Sequence, residues 1–145
     1  MKARFPILAV FLAAASIHAE PDASEGYKKE IQVTPLLRTQ TTVAGQPIVY
    51  PKTTEAQVTS VFVEIPPGAQ TGWHKHPFPC FAYILSGSLD LEIEGGKTVR
   101  LTAGQAMAES IDVLHNGTNS GTEPVKLVMF VMGEKDKPFT ERESR

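Results

Sequence analysis

The stretch from Gly68 to Gly87 reads GAQTGWHKHPFPCFAYILSG, and the rest of the chain is interpreted outward from it. Two histidines, His74 and His76, stand two residues apart in a segment that otherwise has the pattern of β-structure. Side chains at positions i and i+2 of a strand project from the same face, about 7 Å apart. Two imidazoles on one face indicate a metal site, and the only cysteine, Cys80, lies nearby.

A metal ion held by this pair needs further ligands from another part of the chain. Of the four histidines, His18 belongs to an N-terminal apolar segment, which leaves His115 as the third candidate. A lone histidine is more often a surface or hydrogen-bonded residue than a ligand. The close pairing of His74 with His76 is what favours metal binding here.

The chain on both sides of this stretch consists of short apolar or alternating runs interrupted by Pro, Gly and Asn, a pattern typical of an all-β barrel or sandwich. No helix is predicted. A hairpin is the clearest element, because apolar and acidic residues alternate up to Gly95-Gly96, where the chain turns back. Asn116-Gly117-Thr118-Asn119 is predicted to be a turn. Strands are predicted at 57–65, 81–86, 89–94, 97–101, 106–110 and 125–131.

A length of 145 residues fits one domain with a substantial core. The start has cations at Lys2 and Arg4, an apolar run, and Ala19 before a polar stretch, which is the pattern of a secretory signal peptide. The predicted organisation is a signal peptide at 1–19, a flexible leader at 20–30, the barrel at 31–134 and a charged tail at 135–145.

Charge and hydropathy exclude two classes of function. The apolar run at 5–17 is shorter than the ~20 residues that span a bilayer, so no membrane span is predicted. The net charge is −2 and becomes more negative if the signal peptide at 1–19 is removed, which argues against binding nucleic acid through a basic surface. The expected location is periplasmic or secreted.

Two spaced motifs in this chain resemble those of the cupin superfamily, whose members are single β-barrels of the double-stranded β-helix or jelly-roll type. The family patterns are G-x5-H-x-H-x3,4-E-x6-G and G-x5-P-x-G-x2-H-x3-N. The chain departs from them at Cys80, where the first has glutamate, and at Ser110 and Asp112, where the second has proline and glycine. The residues in register are Gly68, His74, His76, Gly87, Gly104, His115 and Asn119.

The resemblance implies a divalent metal held by His74, His76 and His115, with Cys80 as the open question. A carboxylate at that position would complete a set that suits iron, manganese, nickel or zinc, whereas thiolate shifts the preference toward zinc or copper. Three interpretations remain. Cys80 is not a ligand and three histidines hold the metal, as in the similar thiol dioxygenases; or it is a thiolate ligand; or it is a buried apolar residue beside a weak or absent site.

Other polar and aromatic residues near the motifs are weaker candidates. Glu109 and Tyr83 are candidate catalytic groups. If Glu109 faces the lumen, it could replace the missing carboxylate or act as a general acid or base, but it is expected to face solvent. Trp73, Phe78 and Met107 are candidate pocket residues, although core packing is the ordinary role of such side chains.

The function predicted from these features is that of an exported metal-binding cupin, a dioxygenase-type enzyme acting on a small organic molecule. Iron is the expected cofactor, with zinc, manganese or copper as alternatives. The alternative functions are a non-catalytic module that binds a small molecule or metal, and a sugar isomerase or epimerase. The resemblance also implies a homodimer.

Overall fold

The computed structural model describes residues 22–143. The chain divides into two units, Met1–Thr34 and Pro35–Arg145, which are described separately. Within the first unit, the described residues form hydrogen-bonded turns, such as the one in which the Tyr27 amide donates to the Ser24 carbonyl at 3.0 Å. The signal peptide predicted at 1–19 lies outside the described residues.

The second unit is built from antiparallel strands in two sheets, and no residue between 22 and 143 is helical. None of these residues therefore forms a helix that could cross a membrane. The prediction of an all-β barrel of jelly-roll type is confirmed. The strands are β1 (Ala56–Ile65), β2 (His74–Lys75), β3 (Cys80–Ser86), β4 (Ser88–Ile93), β5 (Lys97–Thr102), β6 (Ala106–Ala108), β7 (His115–Thr118), β8 (Val125–Glu134) and β9 (Glu141–Arg142).

The order of strands in the two sheets brings distant parts of the chain together. One sheet has the order β1-β8-β3-β6, and the other has the order β5-β4-β7-β2-β9. In the second sheet, β2 lies between β7 and β9, although more than twenty residues separate it from either along the chain. The two predicted histidine segments thus become neighbours.

The core lies between the two sheets and follows the alternation visible in the sequence. On β4, Leu89, Leu91 and Ile93 are each 3% exposed, while Asp90 and Glu92 point outward. Burying one such side chain is worth roughly 1.5–3 kcal/mol. The β4–β5 hairpin is confirmed, and its inward face forms one wall of the space that holds the histidines.

The turn predicted at Asn116-Gly117-Thr118 is wrong, because these residues belong to β7 and pair with β4. Gly117 stands opposite Leu91, and a Cβ at this position would lie 3.1 Å from Leu89 Cδ1. The glycine therefore serves close packing inside the sheet instead of a chain reversal. This strand carries His115 into the barrel.

Part of the charged tail predicted at 135–145 forms a strand. Its residues Glu141 and Arg142 make β9, which pairs with β2. Glu141 Oε2 lies 3.4 Å from Lys75 Nζ, so the acidic residues that indicated a solvated tail form part of the attachment. The segment 139–142 is called the C-terminal strap below.

Candidate metal centre

The three predicted histidines meet on the inner face of the second sheet. His74 on β2 is the direct cross-strand partner of His115 on β7, and His76 follows β2 on the same side. The ring centroids lie 4.5 Å apart for His74 and His115, 5.0 Å for His74 and His76, and 5.1 Å for His76 and His115. One candidate ligand atom from each ring lies within 4.8 Å of the others.

Each histidine is oriented by a hydrogen bond from Nδ1 to a backbone carbonyl. The acceptors are Gly72 at 2.7 Å for His74, Phe139 at 2.7 Å for His76, and Val113 at 2.9 Å for His115. A carbonyl oxygen can only accept, so Nδ1 carries the proton in each case. In the neutral rings the three Nε2 atoms then present lone pairs, which is the form that binds a metal.

Glu109 enters this cluster from the end of β6, and the expectation that it faces solvent is wrong. Its side chain is buried, and its Oε2 atom lies 2.9 Å from His76 Nε2 and 3.7 Å from His115 Nε2. Alternation did correctly place Glu109 on the same face as Met107, but that face is the inner one. The site therefore contains a carboxylate after all.

The charges in this cluster are strongly coupled. Burial by itself raises the pKa of Glu109, but His115 and His76 outweigh burial and lower the pKa of this carboxyl. Burial likewise acts to lower the pKa of His76, and the neighbouring carboxylate outweighs it and raises that pKa. For His74, which lies farther from the carboxylate, burial dominates and the pKa is lowered. Glu109 is thus ionised, and a proton is held more readily on His76 than on His74.

The donor set fits a divalent cation. Glu109 Oε2 and His115 Nε2 are both buried and have no hydrogen-bond partner among the described residues. With Nδ1 protonated, a neutral His76 also turns a lone pair toward the carboxylate at 2.9 Å, which is repulsive unless a cation lies between them. A proton on His76 Nε2 would remove the repulsion between His76 and Glu109 but would leave His115 Nε2 without a partner. A metal ion would bind all of these atoms.

Cys80 lies beside this cluster without lining the same cavity. Its side chain is almost completely buried, and Sγ donates to the Phe78 carbonyl at 3.3 Å. Burial raises the pKa of the thiol far above its ordinary value, and the Glu109 charge adds to this effect. Sγ lies within 4.8 Å of ligand atoms of His76 and Glu109, but it is engaged by the Phe78 carbonyl and Cys80 does not line the cavity, so the geometry favours the interpretation in which Cys80 packs and is not a ligand.

The remaining candidates lie away from the cavity. Tyr83 is on the face of β3 opposite Cys80, Ala82 and Ile84, and so points out of the barrel. Met107 packs in the core, Phe78 packs against Gly133, and Trp73 lies in a separate surface depression near Gly95 and Gly96. The predictions of a catalytic Tyr83 and of a pocket lined by these three side chains are therefore corrected.

Sequence reasoning missed the C-terminal strap as part of the site. The Phe139 carbonyl accepts the Nδ1 proton of His76, Phe139 packs against the core, and Thr140 Oγ1 lies 3.3 Å from the same nitrogen. Phe139 was the available signal, because it is an apolar residue in an otherwise polar tail.

The histidines and Glu109 open onto a cavity of about 520 Å³. Its walls are the inward aliphatic side chains of β1, β4 and β8, such as Val63, Leu91 and Leu127. A volume of this size holds a small organic molecule. The polar lining residues are the histidines, Glu109, Glu64, Gln70, Thr71, and Thr140 and Arg142 of the C-terminal strap.

Comparison with known proteins agrees with the geometry. Residues 61–131 match the family described as the Cupin domain, and solved structures with a double-stranded β-helix share the fold. The protein belongs to the cupin superfamily. The matched segment begins on β1, ends on β8 and includes all three histidines and Glu109.

The similar proteins differ in size and activity. A polyketide synthase, CurC, from Streptomyces cyaneus is 32% identical over 73 residues, which cover 50% of this chain and 47% of CurC. This chain thus matches about half the length of that relative. A double-stranded β-helix protein from Klebsiella pneumoniae is 21% identical, with a TM-score of 0.52 over 67% of this chain and 91% of its own. The oxalate decarboxylase of Bacillus subtilis, which has Mn(II) centres, is 23% identical. Its TM-score is 0.52, and the match covers 59% of this chain and 23% of the decarboxylase.

Proposed function

We propose that this protein is a metal-dependent cupin enzyme in which His74, His76, His115 and Glu109 hold a divalent ion. The proposed ion is iron, and the proposed reaction is a dioxygenase-type oxidation of a small organic molecule. The observation that carries the proposal is the buried meeting of imidazole Nε2 atoms with a carboxylate oxygen that, while His76 is neutral, has no hydrogen-bond donor among the described residues.

The donor set supports iron or manganese over copper. Three neutral imidazoles and one carboxylate form a borderline-to-hard set, and Cys80, the soft donor that favours zinc or copper, does not line the cavity. A divalent ion held there would supply Lewis acidity and, if it is iron, redox chemistry with dioxygen. The Mn(II) centres of the Bacillus oxalate decarboxylase are in keeping with a metal in this fold.

The protein's own residues perform binding and orientation. The Nδ1 bonds fix the ring directions before any ligand arrives, which reduces the reorganisation needed at the site. The aliphatic walls exclude water from one side, so a molecule in the cavity is held against the histidine face. Glu109 balances part of the charge of a bound cation.

Metal content tests the first half of the proposal. Protein purified from native-like expression is expected to contain about one equivalent of metal by elemental analysis, and His76→Ala is expected to lose most of it. The matched control is Glu92→Ala, because Glu92 is exposed on the outward face of β4. Metal-free wild type whose melting curve ignores added iron, manganese, zinc and copper would contradict the proposal.

Oxygen uptake tests the second half. Iron-loaded protein is expected to consume dioxygen with at least one of the candidate thiols, flavonols or diketones, and Glu109→Gln is expected to abolish uptake. If the loaded protein consumes none with any of them, the site is a binding module or an isomerase-type cupin.

We propose further that the protein is exported and that residues 1–19 are its signal peptide. Expression of the full chain in a bacterium should give a mature protein whose first residue is Glu20, measured by mass spectrometry of the periplasmic fraction. Uncleaved protein confined to the cytoplasm would argue against export.

A further inference from the structure

A row of cross-strand pairs brings a fifth side chain to the histidine face. Ile93 stands opposite His115, His115 opposite His74, and His74 opposite Arg142. Residues directly opposite in an antiparallel pair project from the same face. Arg142 on β9 therefore shares the inner face with His74, and it lines the same cavity.

The next row confirms this orientation, because its side chains lie on the outer face. Lys75 is opposite Glu141, and Lys75 Nζ contacts Glu141 Oε2 at 3.4 Å and Asp112 Oδ1 at 3.2 Å. The outward charges of β2 and β9 are thus paired with one another. Arg142 takes no part in that network.

Within the cavity the charge of Arg142 has no compensating partner, although Arg142 also borders an outer depression lined by Glu94, Asp112, Glu141 and Glu143. The other charged residues that line the cavity are Glu109, which contacts the histidines, and Glu64, whose carboxylate lies 3.9 Å from Lys126. Arg142 forms no salt bridge with any residue in the described range 22–143. An arginine is charged at any physiological pH, and its planar guanidinium matches a carboxylate with two parallel hydrogen bonds.

We propose that the cavity takes a carboxylic acid with an apolar body, and that Arg142 is the specificity-determining residue that binds its carboxylate. The aliphatic walls accept the body, and the exposed position of Arg142 places the acid group at the opening, beside His74. As a statement about substrate, this inference rests on the proposed function. As a statement about binding, it does not depend on a metal.

Binding of matched acids and amides tests the inference. The probes are hexanoate and 3-phenylpropanoate with their primary amides, which have nearly the same shape but no charge, measured by calorimetry on the full chain. Each acid is expected to bind about tenfold more tightly than its amide, since a hydrogen-bonded charge pair contributes about 1.4 kcal/mol or more. Equal affinities, or acids that do not bind, would overturn the proposal.

Variants assign the preference to Arg142. Arg142→Gln is expected to remove the acid preference, so that each acid binds no more tightly than its amide, and Arg142→Lys should keep part of the preference. Arg100→Gln is the matched control, because Arg100 pairs with Asp90 on the outside of the barrel. Melting curves check that each variant is folded. A preference that survives in Arg142→Gln would overturn the assignment.

The same titrations separate this inference from the proposed metal function. They are performed on metal-loaded protein, on chelator-treated protein and on His76→Ala. An acid preference that requires Arg142 in all three supports the inference, even if no metal proves necessary. A preference that requires metal and ignores Arg142 overturns the inference and leaves the metal proposal standing.

Discussion

Glu109 and Cys80 are neighbours, since the Glu109 amide donates to the Cys80 carbonyl at 2.8 Å. Sγ of Cys80, a carboxylate oxygen of Glu109 and a ring nitrogen of His76 all lie within 4.8 Å of one another. Two carboxylates in this buried space would repel each other. A small neutral thiol at position 80 therefore avoids the repulsion that a second carboxylate beside Glu109 would cause.

Replacement of Glu109 isolates its part in metal binding. Glu109→Gln keeps the shape but removes the charge, so metal affinity is expected to fall about 10- to 100-fold or more. The measurement is competitive titration with a chelator of known affinity. Glu92→Gln, on the outward face of β4, is the control and should leave affinity unchanged. Equal affinities in the two variants would remove Glu109 from the metal site.

A carboxylate exchange between the two positions tests their relationship. Cys80→Glu alone places a second carboxylate beside Glu109 and is expected to destabilise the fold by about 2–5 kcal/mol in chemical denaturation. The double change Cys80→Glu with Glu109→Ala should recover much of that stability and retain a metal site. No recovery in the double variant would show that position 80 cannot accept a carboxylate even when position 109 carries no charge.

At the scale of elements, the C-terminal strap acts as a positioning element for His76. It accepts the Nδ1 proton of that ring through Phe139 and is held to β2 by the β9 pairing. The orienting partners of metal-bound histidines affect affinity because they fix the tautomer and the ring direction. The strap thereby couples the end of the chain to the ligand that lies closest to Glu109.

Truncation tests that coupling. A chain ending at Pro138 loses the Phe139 carbonyl and β9, so its metal affinity is expected to fall about tenfold or more by chelator competition. A chain ending at Glu143 is the control and should bind as the full chain does. Circular dichroism of both metal-free forms separates a loss of orientation from a loss of fold. Unchanged affinity in the shorter chain would mean that the strap does not position His76.

For the whole molecule, local patterns predicted the barrel, but not the contacts that only its closure creates. Alternation and the Gly95-Gly96 turn predicted β4 and β5. The spacing of His74 and His76, together with the family resemblance that added His115, identified three members of the cluster. Glu109 was misjudged because a strand's parity does not reveal which face is inward. The strap was missed because charged residues that pair across strands look the same in sequence as a solvated tail.

The stability of the metal-free protein should depend on pH, because the pKa values of His76 and Glu109 are shifted in the fold. The raised pKa of His76 stabilises the metal-free protein below the ordinary value of 6.5, and this contribution is lost as pH rises through the raised value. The lowered pKa of Glu109 contributes above the ordinary value of 4.5, and this is lost as pH falls through the lowered value. The metal-free pair is therefore most favourable between about pH 4.5 and 6.5.

Below the raised pKa of His76, a metal must displace the proton on that ring, whereas at higher pH no proton competes with the metal. The difference in melting temperature between metal-loaded and metal-free protein should therefore widen from pH 5 to pH 8. At a thousandfold excess of metal over its Kd, binding adds roughly 4 kcal/mol, a shift on the order of 10 °C. In Glu109→Gln the proton on His76 is held less firmly, because the neighbouring negative charge is gone. The difference in melting temperature between the metal-loaded and metal-free variant should therefore be smaller than in wild type and should begin to widen at lower pH. A difference that is flat with pH in wild type would show that no proton competes with the metal at His76.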